Sequence, residues 1–456
     1  MAQRIGRREF LKDSLVAATT AGGFPYIVPS SALGAGGAVP PSERIAMGFV
    51  GVGSMGGGHL RTFLGYDDVR VVAACDLREK FRQRARDFAD RRYGANSDFE
   101  TYNDFRKMLA RDDIDAVCIA TPEHWHGLIA IEAAKQQKDM YLEKPIDVYV
   151  AIAKALREAV NRYGVVFQFG TQQRSGREFR LACELVRNER IGRLHTVVVG
   201  SVRGAELGNQ PTEPAPPKEE FDYDMWLGPA PWAPYTFQRS ASRAEGSPGY
   251  WMHIHDYGLG CLSGAWGIHH VDIAQWGLDA DDTGPVEVQG TGRIPKDGLC
   301  DTPVRWRVEH KYASGVRMIH ADLKSSLAEY PQFDNDAAKY KGCGILFLGG
   351  EGWVLVWRGG IDAHPKSLLN TTFGSDEIRL SVSNDHRRNF LDCVRTRRQT
   401  ISPIAAAVRS DTICHLDDIA IRLGRKLRWD PEAEEFINDE QANRMLSRPM
   451  RSPWHL

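Results

Sequence analysis

Ile45-Ala46-Met47-Gly48-Phe49-Val50-Gly51-Val52-Gly53-Ser54-Met55-Gly56 is the stretch that decides the fold. Its apolar first half suits a strand buried on both faces. Its second half gives each glycine a separate task. Gly51 lets the main chain turn tightly, Gly53 leaves room for a pyrophosphate, and Gly56 lets the following helix pack close to the strand. The free amides that open this helix, at Ser54 and Met55, are placed to hold phosphate oxygens. A second apolar strand, Val69 to Cys75, ends in Asp76, 20 residues beyond Gly56. A carboxylate at that distance meets the ribose hydroxyls of a dinucleotide. Strand, glycine turn, helix, strand and acid in register explain more than an isolated glycine turn in some other α/β protein. Asp76 repels a 2′-phosphate, so NAD is the expected cofactor, with NADP left open by Arg78 nearby.

The pattern continues outward. Asp115 to Ala120 reads as a third buried strand and empties into Thr121-Pro122-Glu123-His124-Trp125-His126. A helix over about 127–136 leads to the strand Met140-Tyr141-Leu142, which empties into Glu143-Lys144-Pro145. Open parallel sheets bind ligands at the carboxyl ends of their strands. Thr121, Pro122, His126, Glu143 and Lys144 therefore join the candidates for cofactor contact, with Lys144 at the nicotinamide end. A helix over 151–163 and a strand over 165–169 complete a Rossmann-type domain across residues 41–171.

Beyond it the period changes. Val304, Trp306, Val308, His310 and Tyr312 alternate with charged residues, the mark of a strand with one buried face. With the β-rich runs at 194–202, 316–321, 345–348 and 353–357 it predicts an α/β domain with a largely antiparallel sheet over 172–385. Helices at 385–396 and 410–423 begin a carboxyl-terminal region, 386–456, expected to pack back on the body. Residues 204–258 are rich in proline and aromatic side chains, which suit either a sugar ring or a subunit contact.

At 456 residues the chain has room for two or three cored domains. A net charge of −1 gives no electrostatic case for nucleic acid or anionic lipid. The eight cysteines are scattered without a CxxC pair, so buried free thiols are expected. The amino end carries Arg7-Arg8-Glu9-Phe10-Leu11-Lys12, a mildly apolar run and small residues through Ala38. Residues 1–38 read as a twin-arginine export signal and linker. Export machinery of that type would be a partner, and the periplasm or cell envelope the destination. The alternative is a basic amphipathic helix on a cytoplasmic enzyme.

On the glycine turn, Asp76, Glu143-Lys144-Pro145 and a later histidine-bearing helix, the chain resembles the Gfo/Idh/MocA oxidoreductases. The resemblance implies NAD(P)-dependent hydride transfer on a sugar, polyol or glycoside. It also implies a lysine at the active site and a histidine acid/base, here Lys144 and His269, and association through the second-domain sheet into a dimer or tetramer. The family's helix reads Asp-x-Gly-x-His-x-x-Asp, whereas this chain has Ala265-Trp266-Gly267-Ile268-His269-His270-Val271-Asp272. Ala265 thus replaces a carboxylate, for which Asp256 or Tyr257 are candidate substitutes. Trp251, Asp256, Tyr257 and Asp272 are the candidates for substrate contact. His253, His255, Asp256, His269, His270 and Asp272 admit a metal-site reading, but their spacing matches no closed site, and no metal is expected. Three functions follow: a cofactor-retaining oxidoreductase, a glycosidase working through transient oxidation at C3 and elimination, and a sugar-binding protein impaired at Ala265.

Overall fold

The computed structural model describes residues 39–95, 97–335 and 341–456. The twin-arginine segment lies outside the described residues. The apolar runs read above become a six-stranded parallel sheet: β1 (Ile45–Val50), β2 (Val69–Cys75), β3 (Glu100–Tyr102), β4 (Ala116–Ile119), β5 (Asp139–Leu142) and β6 (Phe167–Phe169). The spatial order is β3-β2-β1-β4-β5-β6, so the sheet reverses direction of winding between β1 and β4. That reversal opens a crevice at the strands' carboxyl ends, where a dinucleotide fits. β1 and β4 are buried on both faces, as continuous apolar strands in a helix-covered sheet must be.

The second sheet has nine strands: β7 (Leu194–Ser201), β8 (Glu287–Arg293), β9 (Arg305–Lys311), β10 (Arg317–Asp322), β11 (Gly344–Gly349), β12 (Trp353–Trp357), β13 (Gly360–His364), β14 (Leu427–Asp430) and β15 (Glu435–Phe436). Every pairing is antiparallel except β7 with β10. Within β9 the expected alternation holds, with Trp306, Val308 and His310 inward. The helix Leu323–Glu329 and the turn after it cover the outer face around Val198, Ile319, Leu346 and Leu355. The chain itself thus covers that part of the sheet's outer face.

The carboxyl-terminal region does more than pack back. β14 pairs with β8 and extends the second sheet. The helix His386–Thr396 places Phe390, Leu391 and Cys393 in the core beside β1 and β2. The long helix Ile404–Leu423, buried along most of its length, contacts both the helix Val150–Tyr163 and β8. All eight cysteines are buried and free. No helix among the described residues is long and apolar enough to cross a membrane.

Candidate active site

Gly51 has φ +80°, and a Cβ there would lie 2.6 Å from the Ala120 carbonyl oxygen. At Gly56 a Cβ would lie 1.8 Å from the Gly51 oxygen. The turn and the helix behind it therefore require glycine, and the cradle a pyrophosphate needs is built. The Asp76 carboxylate accepts from the amides of Val52 (2.8 Å) and Arg78 (2.9 Å), which fixes it at the end of β2. Burial raises its pKa, and those two hydrogen bonds and the Arg78 charge oppose the rise. A cavity of about 700 Å³ runs from Gly51, Gly53, Ser54 and Met55 past Asp76, Arg78, Thr121 and Pro122 to His126, Glu143, Lys144 and His269. Of the cofactor candidates only Gly56 stays behind its wall.

Arg78 is engaged elsewhere than expected. Its guanidinium stacks 3.5 Å over the Phe221 ring, pairs with Glu245 at 3.2 Å and donates to the Ser240 carbonyl. A 2′-phosphate would have to compete with all three. The residues it meets belong to the aromatic-rich segment, which lies along the ribose side of the groove. There the Ala244 amide donates to Ser54 Oγ (2.8 Å), Glu79 N to the Glu220 carbonyl (3.0 Å), and Asp222 N to that of Leu77 (3.2 Å). Residues 217–245 thus form a strap tied to the first domain at both the ribose and phosphate ends. Phe221, Trp226, Tyr235 and Tyr257 pack on one another in a small core of their own, a use that neither the sugar nor the subunit reading foresaw.

At the far end of the cavity, Lys144 Nζ donates to the Gly264 carbonyl at 2.5 Å. Glu143 is buried, and its Oε1 accepts from His59 Nε2 (2.8 Å) and Gln172 Nε2 (3.1 Å). Burial alone would raise its pKa, but the His59 hydrogen bond and the Lys144 charge bring it down to about 2. Arg387 Nε donates to His59 Nδ1 (2.8 Å), so the His59 proton sits on Nε2 and points at Glu143. His269 is buried, and its Nδ1 has no hydrogen-bond partner among the described residues. Burial, then the charges of Arg358 and Lys144, hold its pKa well below the usual imidazole value. It is a neutral imidazole with an unpaired Nδ1, able to accept a proton and quick to release it.

Ala265 does line the cavity, and a carboxyl group from the first domain lies near it. Glu123 is buried and its Oε2 has no hydrogen-bond partner among the described residues. Its carboxyl packs against Gly264, where a Cβ would lie 2.1 Å from Oε1. Glu123 and Lys144 therefore meet the same glycine, next to Ala265. Burial raises the Glu123 pKa and Lys144 opposes the rise, so this carboxyl holds its proton more firmly than an exposed one.

The substrate candidates fare unevenly. Trp251 lines the cavity. Asp256 does not; it pairs with Arg448 at 3.4 Å. Tyr257 is fully buried, its hydroxyl accepting from Arg239 at 3.3 Å. Asp272 is buried against Arg174, which donates to both its oxygens at 2.8 Å, and it also accepts from Ser410. Tyr257 and Asp272 are held in the interior by these partners, and half-exposed Asp256 lies outside the cavity lining. His126 lines the cavity, yet its two ring nitrogens face the carbonyls of Pro145 (2.6 Å) and Thr121 (2.9 Å), and burial favours the neutral ring, whose single N–H donates to one of the two. His124 Nε2 faces the Trp226 carbonyl. The histidines read as metal ligands are dispersed: His255 pairs with Asp418, and His270 faces the Gly200 carbonyl. No three such groups converge among the described residues. His59, Glu123, Gln173, Arg358 and Arg387 were not foreseen, since no local pattern marks them and distant chain segments bring them here.

A dinucleotide groove ending at a lysine and a neutral histidine defines a nicotinamide-dependent oxidoreductase fold. The chain belongs to the Gfo/Idh/MocA family: residues 45–171 match the model of its NAD-binding Rossmann fold, and residues 184–339 and 377–456 that of a C-terminal alpha/beta domain. Among curated relatives, a glycosyl hydrolase family 109 protein of Shewanella woodyi is 29% identical over 171 residues, 37% of this chain and 33% of the relative. An alpha-N-acetylgalactosaminidase of Shewanella oneidensis is also 29% identical, over 37% of this chain and 34% of its own. The match therefore spans about a third of these relatives' length. Among solved structures, GenD2 of gentamicin A biosynthesis, in complex with NAD, superposes with a TM-score of 0.59 at 20% identity, covering 85% of this chain and 97% of that one. The WlbA dehydrogenase of Bordetella pertussis, with NADH and UDP-GlcNAcA, does so at 0.59 and 17%, covering 85% and 99%. These likenesses are of fold.

Proposed function

We propose that the protein holds an NAD permanently and uses it to oxidise a secondary alcohol of a sugar or glycoside, with the hydride recycled inside the site. The observation that carries this reading is the strapped groove, which leads from the glycine cradle directly to Lys144 and His269. Bound there, NAD would supply the hydride acceptor. His269 takes the hydroxyl proton as the hydride leaves carbon, and it is fit for this because it is neutral. Lys144, fixed by the Gly264 carbonyl, stabilises the developing alkoxide. Glu123, beside the same glycine, keeps a carboxyl near Lys144 in place of the one lost at position 265.

The name of the Shewanella relatives favours a second reading of the same site. Oxidation at C3 acidifies the C2 hydrogen; a base removes it, the aglycone leaves C1 and water adds. Return of the hydride to C3 then gives net hydrolysis with no net redox change. Export through the twin-arginine route, which carries folded proteins, is proposed alongside, since a retained cofactor has to be loaded before departure.

Protein purified without added nucleotide is expected to release about one NAD per chain on denaturation, and a substrate sugar to raise its absorbance at 340 nm before denaturation. Absence of any nucleotide, bound or bindable, would sink both readings. Arg78→Ala, which cuts the strap's attachment, is expected to lower the NAD retained through dialysis. The acid limb of kcat/KM is expected well below pH 6.5, because His269 stays unprotonated there, and Arg358→Gln should move that limb upward by removing a charge that opposes protonation. A limb at an ordinary histidine pKa in both proteins would remove His269 as the base.

A further inference from the structure

Arg358 acts on the hydride chemistry only at a distance, through its charge on His269, and its own hydrogen-bonding groups at the substrate end have no part in it. It sits at the tip of the hairpin joining β12 to β13 and lines the cavity beside Trp266 and His269. Two contacts fix its guanidinium. The group stacks 4.6 Å from the centre of the Trp266 ring, and Nε donates to Oε1 of buried Gln173 at 3.1 Å. Its terminal nitrogens have no carboxylate within ion-pair distance among the described residues, in contrast to Arg174 close by, which holds both Asp272 and Asp281. The residue faces the open cleft, yet enough of the guanidinium packs on protein for desolvation to lower its pKa.

The Lys144 charge stabilises the buried Glu143 carboxylate, and burial makes Glu123 hold its proton more firmly. Arg358 feels the Glu143 charge only at a distance and is left as an oriented cation with no carboxylate at ion-pair distance among the described residues, at the end of the cavity away from the glycine cradle. A stacked guanidinium anchored at Nε presents its outer N–H groups as a fork, the geometry that suits a carboxylate.

We infer that Arg358 is a specificity residue and that the substrate is a sugar acid, a uronic acid or a uronic acid glycoside, whose carboxylate is held by the Arg358 fork while the ring lies between Trp266 and Lys144. The inference rests on the proposed sugar-oxidising function and names the substrate class of that site.

The test uses matched pairs on the full NAD-loaded chain: glucuronate against glucose, galacturonate against galactose, and the corresponding methyl glycosides. Binding is read by calorimetry and cofactor reduction separately at 340 nm. At least one acid is expected to bind about 10- to 100-fold more tightly than its neutral partner, the range of a charge-assisted hydrogen bond. Arg358→Gln should collapse that ratio towards one, and Arg358→Lys should restore part of it. Neutral sugars binding as well as their acids, no acid binding at all, or an Arg358→Gln protein that keeps the acid preference would each overturn the inference. An acid that binds through Arg358 but never reduces the cofactor leaves the inference standing and counts against the oxidation chemistry instead.

Discussion

Lys144→Met is expected to slow reduction of the bound cofactor by a sugar about 10³-fold, the combined scale of a lost electrostatic donor and a disturbed proton path. Methionine keeps the length of the side chain and removes only the ammonium. The effect is large because the site offers no replacement: the Glu143 carboxylate would be left buried beside the cleft with the hydrogen bonds from His59 and Gln172 but without its cation. The measurement is single-turnover absorbance at 340 nm on protein whose NAD content has been confirmed by denaturation. A rate within tenfold of the parent's would remove Lys144 from the chemistry. Glu123→Gln, by contrast, keeps the shape and loses only the titrating group. It is expected to slow turnover less and to flatten the alkaline side of the pH profile.

Arg174→Met should be the most destabilising single change in the second domain's foundation. It leaves Asp272 buried without its bidentate partner and Asp281 without its anchor. Breaking a buried pair by removing one member costs about 3–5 kcal/mol. The change should appear as an earlier midpoint in urea unfolding of the NAD-bound protein. Adding Asp272→Asn to Arg174→Met should recover part of the loss, because the stranded charge is then gone. Equal midpoints for Arg174→Met and the parent would mean that water or another side chain already satisfies Asp272.

The contrast between these positions shows what the sequence carried. The first domain was legible almost strand by strand, because its buried parallel strands are local apolar runs and its glycines obey steric rules that act over a few residues. Lys144 was legible for the same reason: it follows a strand end directly. Asp272 misled because a carboxylate on the His269 helix carries no local sign of whether it faces the cleft or Arg174, which lies 98 residues earlier. Glu123 carries no local sign of its place in the site, since that place depends on Gly264 meeting it from the other domain. Arg358 comes from a hairpin tip whose place over the cleft is a property of the second sheet. β8 escaped for a simpler reason: Glu287–Arg293 is mostly polar and half exposed, with little apolar signal.

The carboxyl-terminal helices give the protein an order of assembly. The core beside β1 and β2 is finished by Phe390, Leu391 and Cys393, and the second sheet's edge by β14. During synthesis the nucleotide-binding half emerges early, yet it lacks a piece of its own interior until Phe390, Leu391 and Cys393 have left the ribosome. The strap, too, must find its place on that half. A growing chain therefore offers at most an incompletely packed groove, and the finished one a groove with the strap in place. The proposed retention of NAD would then begin in the interval between them, with the nucleotide taking part in maturation.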